Sequence, residues 1–154
     1  MIKFFLVISR QCKVRLSKWF MPVSSKERNS IVQDLSHMVV NRHLKQCNIL
    51  EWRDFKLVFR RYASLYFIVC VEKDANELIV LEMIHQYVEI LDNYFSQVCE
   101  LDLVFNFDKA YHILDEVLID GDIYESNQNS IVRNITAQDA MSEKTKGFSS
   151  KKVI

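Results

Sequence analysis

The run Leu65-Tyr66-Phe67-Ile68-Val69-Cys70-Val71 is the longest unbroken apolar stretch in this chain, and it restricts the fold more than any other feature. A strand with one wet face alternates apolar and polar residues, whereas a strand covered on both faces does not. The run is also far short of the roughly 20 residues that a membrane-crossing helix needs. It therefore predicts a central strand with a layer packed on each side. Residues 1–9 are almost as apolar and predict a second buried strand.

The segments around these two runs supply the rest of a layered fold. The polar stretch Ser9–Lys13 predicts a hairpin turn into a strand over 14–20. Along that strand Val14, Leu16 and Phe20 should face one side, and Arg15, Ser17 and Trp19 the other. Pro22 breaks it, and Ser24 with Glu27 fits a capping box for a helix running to about residue 43. That helix carries the stripe Ile31, Leu35, Met38, Val39. Strands are predicted over 48–52, 55–60 and 64–71, with Arg60-Arg61-Tyr62 as the last turn. Asn76 is a fitting cap for a helix over 77–96. It bears two apolar stripes, one through Leu78, Leu81, Ile84, Val88, Leu91 and Phe95, the other through Ile79, Met83, Tyr87, Ile90 and Tyr94. One stripe is enough for a surface helix, so a second body, either the rest of the domain or another subunit, should cover the other. Further helices are predicted over 107–119, ended by Gly121, and over 128–142. The expected architecture is α+β: a five-stranded antiparallel sheet with helices on both faces and extra C-terminal helices. One domain over 1–141 accounts for these elements, followed by a Ser/Lys-rich tail, 142–154, expected to be disordered.

Composition removes several function classes. Net charge is zero, which disfavours general nucleic-acid binding. Residues 1–62 nevertheless hold 13 lysines and arginines against 4 acidic residues, and 63–154 hold 7 against 16. Either the two parts neutralise each other within one domain, or the basic part faces an acidic partner. The four cysteines, Cys12, Cys47, Cys70 and Cys99, form no C-x-x-C pair, which argues against a zinc site or a disulfide framework and for a reducing, cytosolic setting. The apolar run near the N-terminus is too short for a signal peptide and lacks a small-residue cleavage site. With two glycines and one proline the chain has little material for phosphate-cradling loops. It contains no G-x-S-x-G, Walker, G-x-G-x-x-G or H-E-x-x-H motif. Adjacent Asp115 and Glu116 diverge by about 100° on a helix and cannot readily share a proton. The expectation is no enzyme, no metal and no cofactor.

The informative segment is Leu57-Val58-Phe59-Arg60-Arg61-Tyr62-Ala63-Ser64-Leu65-Tyr66-Phe67. It resembles the signature of the clathrin adaptor small (sigma) chains: two aliphatics, an aromatic and a basic residue (Leu57, Val58, Phe59, Arg60), then Leu65, Tyr66, Phe67. The resemblance continues through residues 1–20, 50–54, 81–95 and 98–123, and so spans about 1–140. Ser9-Arg10-Gln11, Leu50-Glu51-Trp52-Arg53-Asp54 and Ala63-Ser64-Leu65 look most like adaptor complex one, of the trans-Golgi network and endosomes. The nearest alternative is the plasma-membrane adaptor, for which phenylalanine, asparagine and glycine would be expected at 52, 54 and 64. A coatomer small chain or another longin-fold trafficking subunit is a further alternative. Two departures stand out. Cys12 replaces a glycine of the first turn, where a side chain disfavours positive φ, and Phe59 replaces a tyrosine.

The resemblance implies a longin-like fold held in a tetramer with two large adaptins and a medium (mu) chain, with clathrin and the membrane reached through that complex. It implies recognition of acidic dileucine signals on cargo tails, at the cytosolic face of the trans-Golgi network, endosomes and coated vesicles. By the same resemblance the leucines enter a pocket of Ala63, Leu65, Val88, Val98 and Leu103, and Arg15 meets the acidic residue. Two-residue spacing on a strand would put Ala63 and Leu65 on one face. Taken without the resemblance, Leu65, Val88 and Leu103 are plain core positions and Arg15 is an exposed strand charge.

Overall fold

A computed structural model describes residues 2–41, 48–119 and 122–123. The predicted helix over 128–142, the tail, Gly121 and Cys47 lie outside these residues. The central run becomes β5 (Leu65–Glu72), flanked by β1 (Ile2–Ser9) and β4 (Phe55–Tyr62); β2 (Val14–Trp19) and β3 (Ile49–Trp52) form the edges. The order β2-β1-β5-β4-β3 is antiparallel throughout.

Two cores explain why β5 does not alternate in hydropathy. Leu65, Phe67, Val69 and Val71 face one core, and Tyr66, Ile68 and Cys70 face the other. The second core is closed by α1 (Ser25–Val40) through Ile31, Leu35 and Val39. The predicted stripe residue Met38 is partly exposed. The Ser24 hydroxyl accepts the Glu27 N–H at 3.2 Å, as the capping box requires, while the Glu27 carboxylate pairs with Arg53 at 3.7 Å. Burial pushes the Cys70 thiol in this core up to about 12.

The first core is closed by α2 (Glu77–Phe95) and α4 (Phe107–Val117). Both stripes of α2 are buried at their centres: Ile84, Val88 and Leu91 on one, Met83, Tyr87 and Ile90 on the other. The covering body is the sheet together with α4, so the second stripe needs no outside chain. Tyr87 shows how the layers lock. Its ring meets Phe5 and Phe67 edge-on at 5.5 and 6.2 Å, and its hydroxyl donates to the Ala110 carbonyl at 2.7 Å. Complete burial pushes its ionisation upward.

The short helix α3 (Glu100–Phe105), which sequence periodicity does not reveal, precedes α4. α4 ends at Val117, and 118–119 pair with 122–123 as a small ladder instead of extending the helix. The apolar surface left uncovered lies mainly here: Leu101, Val104, Phe105 and Phe107 are exposed, as are Leu78 and Ile79 at the start of α2.

Part of the charge asymmetry is met by pairs between the basic and acidic parts of the chain. Lys3 meets Glu72, Arg15 meets Glu100, Lys18 meets Asp115 and Lys56 meets Glu77. Lys56 is nearly buried, and its ammonium also donates to the Ala75 carbonyl at 2.6 Å, which satisfies a charge that would otherwise be expensive to bury.

Candidate functional site

The first hairpin sets the position of Arg15. Ile8 pairs with Val14 but Val7 pairs with Leu16, so Arg15 is the extra residue of a β-bulge. A bulge turns a side chain away from strict alternation. Val14 consequently lines a groove with Trp19 and Arg28 on the α1 side, while Leu16 enters the α2–α4 core. The predicted faces of Val14 and Arg15 are thereby exchanged. Arg15 points with Leu16 toward α3, where its Nε and Nη2 donate to Glu100 Oε1 at 2.8 and 2.7 Å. The turn before it keeps a positive φ of 63° at Cys12 despite the side chain. Ser9 holds it there: its hydroxyl accepts the N–H groups of Gln11 and Lys13, and its own N–H donates to the Lys13 carbonyl.

The second hairpin places the signature. β4 and β5 pair from Phe55↔Glu72 to Tyr62↔Leu65, which leaves Ala63-Ser64 as the turn in place of the predicted Arg60-Arg61-Tyr62. Ala63 takes φ 53° there and is exposed, so it does not share a strand face with Leu65. Within the signature, Leu57, Phe59 and Tyr66 pack toward α1, and Val58, Leu65 and Phe67 toward α2. The Phe59 ring is buried, so the departure from tyrosine leaves its packing intact. Arg60 is exposed near the hairpin end.

Of the five predicted pocket residues, four come together. Leu65, Val88, Val98 and Leu103 belong to one buried cluster and are at most 6% exposed. They come from the start of β5, the middle of α2, the α2–α3 connection and α3. Next to this filled cluster is an open groove of about 290 Å³ lined by Arg60, Tyr62, Phe67, His85, Val88, Glu89 and Asp92. Val88 belongs to both. From sequence, Tyr62 has only a place in a turn, and His85, Glu89 and Asp92 have no site role. The i,i+4 spacing of His85 and Glu89, which pair at 2.7 Å, is the one signal the sequence carries for them.

Asp92 fixes the connection between groove and cluster. Its Oδ2 accepts the Tyr62 hydroxyl and its Oδ1 accepts the Val98 N–H. The hydrogen bond to Asp92 is the main reason that the Tyr62 hydroxyl ionises less readily than usual, with burial adding to it. Ser96 and Gln97, just before Val98, take positive φ values of 55° and 78°. Two successive non-glycine residues in that region make the connection strained. Among the described residues, no group of three or more His, Cys, Asp or Glu is placed to hold a metal ion, and no helix is long and apolar enough to cross a membrane.

Residues 1–142 match the clathrin adaptor complex small chain family. This chain belongs to that family. It is 56% identical to the AP-1 complex subunit sigma-2 of Arabidopsis thaliana over 146 residues, covering 95% of this chain and 90% of the relative. It is 51% identical to the human AP-1 complex subunit sigma-1A over 143 residues, covering 93% and 90%. Its fold matches a chain of the "homology model of the full-length AP-3 complex in a stretched open conformation", with a TM-score of 0.76 and 27% identity over 96% of this chain and 98% of that one. These likenesses agree with the family, with the leaning toward adaptor complex one and with the longin-like sheet read from the signature.

Proposed function

We propose that this small-chain family member is the sigma subunit of a heterotetrameric AP-1-type adaptor complex. It would serve vesicle-mediated intracellular protein transport at the cytosolic face of the trans-Golgi network and endosomes. In this reading it assembles with two large adaptins and a medium chain, reaches clathrin and the membrane through them, and acts by binding alone. Its cargo would be cytosolic tails with an acidic residue, three spacers and a leucine pair.

The observation that supports cargo recognition is the convergence of Leu65, Val88, Val98 and Leu103 beside an arginine that a β-bulge turns to the same side. Two leucines entering this cluster would contribute about 1.5–3 kcal/mol each from burial, before ordering is subtracted. The balance suits weak, reversible capture. Because the cluster is filled in the free chain, leucines would enter with a movement of the residues that close it. The open groove that shares Val88 reaches Asp92, whose carboxylate holds the Val98 N–H of the α2–α3 connection.

Co-expression with candidate large subunits, followed by pull-down, tests assembly. Two large chains and one medium chain should be recovered in equal amounts, and the identity of the large chains separates this reading from a plasma-membrane adaptor. Val88→Asp should abolish dileucine-peptide binding in a tetramer that still assembles. Normal peptide binding by that tetramer would refute the pocket.

A further inference from the structure

Arg15 already has a carboxylate. Both of its contacts to Glu100 converge on one oxygen, Oε1, rather than spanning two. The strong form of an arginine–carboxylate pair uses two parallel hydrogen bonds to two oxygens. Both side chains are about one-quarter exposed, at 24% and 25%, so solvent and a second anion can reach the pair. A pair that solvent still reaches holds a smaller net free energy than a buried one, which leaves room for another carboxylate to compete.

The placement of Glu100 couples this pair to the apolar cluster. It opens α3, two residues after Val98 and three before Leu103. Any movement that uncovers Leu65 and Val88 by lifting that segment must also pull Glu100 from Arg15. The connection is strained at Ser96 and Gln97 and tied to α2 through the contact of Asp92 with the Val98 N–H, so the Arg15 pair is the tie at its other end.

We propose that Glu100 is a latch: it occupies Arg15 in the empty chain, holds α3 closed over the apolar cluster, and is exchanged for the acidic residue of an incoming peptide. This inference rests on the reading of the cluster and Arg15 as a dileucine-signal site. It makes Glu100 a specificity-determining residue, because a peptide able to replace its carboxylate opens the site more easily than one that cannot.

The test uses the assembled tetramer and two synthetic dileucine peptides, one with glutamate and one with glutamine four positions before the first leucine. Glu100→Gln keeps the shape and removes the charge. It should strengthen binding of the glutamate peptide about two- to fivefold. In an Arg15→Gln background the same change should have no effect. Without peptide, amide hydrogen exchange across residues 100–105 should quicken in Glu100→Gln. Unchanged exchange, or unchanged or weakened binding of the glutamate peptide, overturns the latch. If the wild-type tetramer binds neither peptide while exchange quickens as expected, the dileucine reading fails and the exchange of Glu100 for a peptide carboxylate falls with it, leaving only the closure of α3 by the Arg15 pair.

Discussion

The Tyr62 hydroxyl donates to Asp92 Oδ2 at 2.5 Å, joining the end of β4 to the last turn of α2. The second oxygen of the same carboxylate takes the Val98 N–H at 2.9 Å, so one side chain holds a hairpin end, a helix and a strained connection. Replacing Asp92 by alanine should cost about 2 kcal/mol, because hydrogen bonds to a charged group are worth more than neutral ones. Tyr62→Phe removes one of the two bonds and should lower Tm less. Thermal melts of both single variants and the double variant check this, with non-additivity expected for a shared network.

Cys12 is held at φ 63° by the hydrogen bonds of Ser9. A residue with a Cβ is disfavoured in this region by about 1–2 kcal/mol, and glycine is not. Cys12→Gly should therefore stabilise the chain by about 1 kcal/mol, after subtracting the extra freedom glycine gains when unfolded. Chemical denaturation of the two proteins decides it. A loss of stability would mean that the thiol packs more usefully than its half-buried position indicates.

The outer edge of β2 is blocked at Ser17. The Tyr111 hydroxyl accepts the Ser17 N–H at 2.9 Å and donates to the Ser17 carbonyl at 2.8 Å. Flanking ion pairs, Arg15–Glu100 and Lys18–Asp115, continue this seam between β2 and the helices. Open edges invite pairing with another chain. Tyr111→Phe should lower stability by about 1–2 kcal/mol by leaving two strand groups unpaired. It should also raise the tendency to aggregate, followed by light scattering at rising concentration.

Legibility from sequence followed the range over which each feature is determined. β5 was readable because every side chain from Leu65 to Val71 must be apolar to fill one core or the other. The two stripes of α2 were readable for the same reason, although the cover proved to be α4 and the sheet. The bulge at Arg15 was not readable, because it depends on the register with Val7 and Ile8 in another strand. The turn at Ala63-Ser64 is not legible because no glycine marks its positive φ. Glu100–Phe105 is too short for a helical period to stand out. The candidate site was legible only through the family signature. Four of its apolar residues are indistinguishable by type from ordinary core, and Glu100 and Asp92 gain meaning only from what they touch.

Burial raises the ionisation of the Cys70 thiol to about 12, from a usual value near 8.5 for cysteine in peptides. A raised thiol contributes stability that is complete below the unfolded value and is lost as pH climbs toward the folded one. Between about pH 9 and 12 this group alone should remove about 1.4 kcal/mol per pH unit. Cys70→Val should flatten the alkaline decline of Tm relative to the parent while changing little at pH 7. The native thiol should also resist alkylation at pH 8, measured by mass shift.

Leu101, Val104, Phe105 and Phe107 leave an apolar ridge along α3 and the start of α4, with Phe105 75% and Phe107 57% exposed. Large exposed aromatics grouped in this way mark a contact surface. The ridge starts at Leu101, next to Glu100, but its two aromatics lie at and beyond the other end of α3. Phe105→Ser with Phe107→Ser should make the isolated chain more soluble. It should also cut recovery of large subunits on co-expression at least tenfold, as loss of two aromatic anchors does at an interface. If solubility rises and the tetramer still forms in full, the companion chain must bind elsewhere, and the uncovered start of α2 at Leu78 and Ile79 becomes the surface to test.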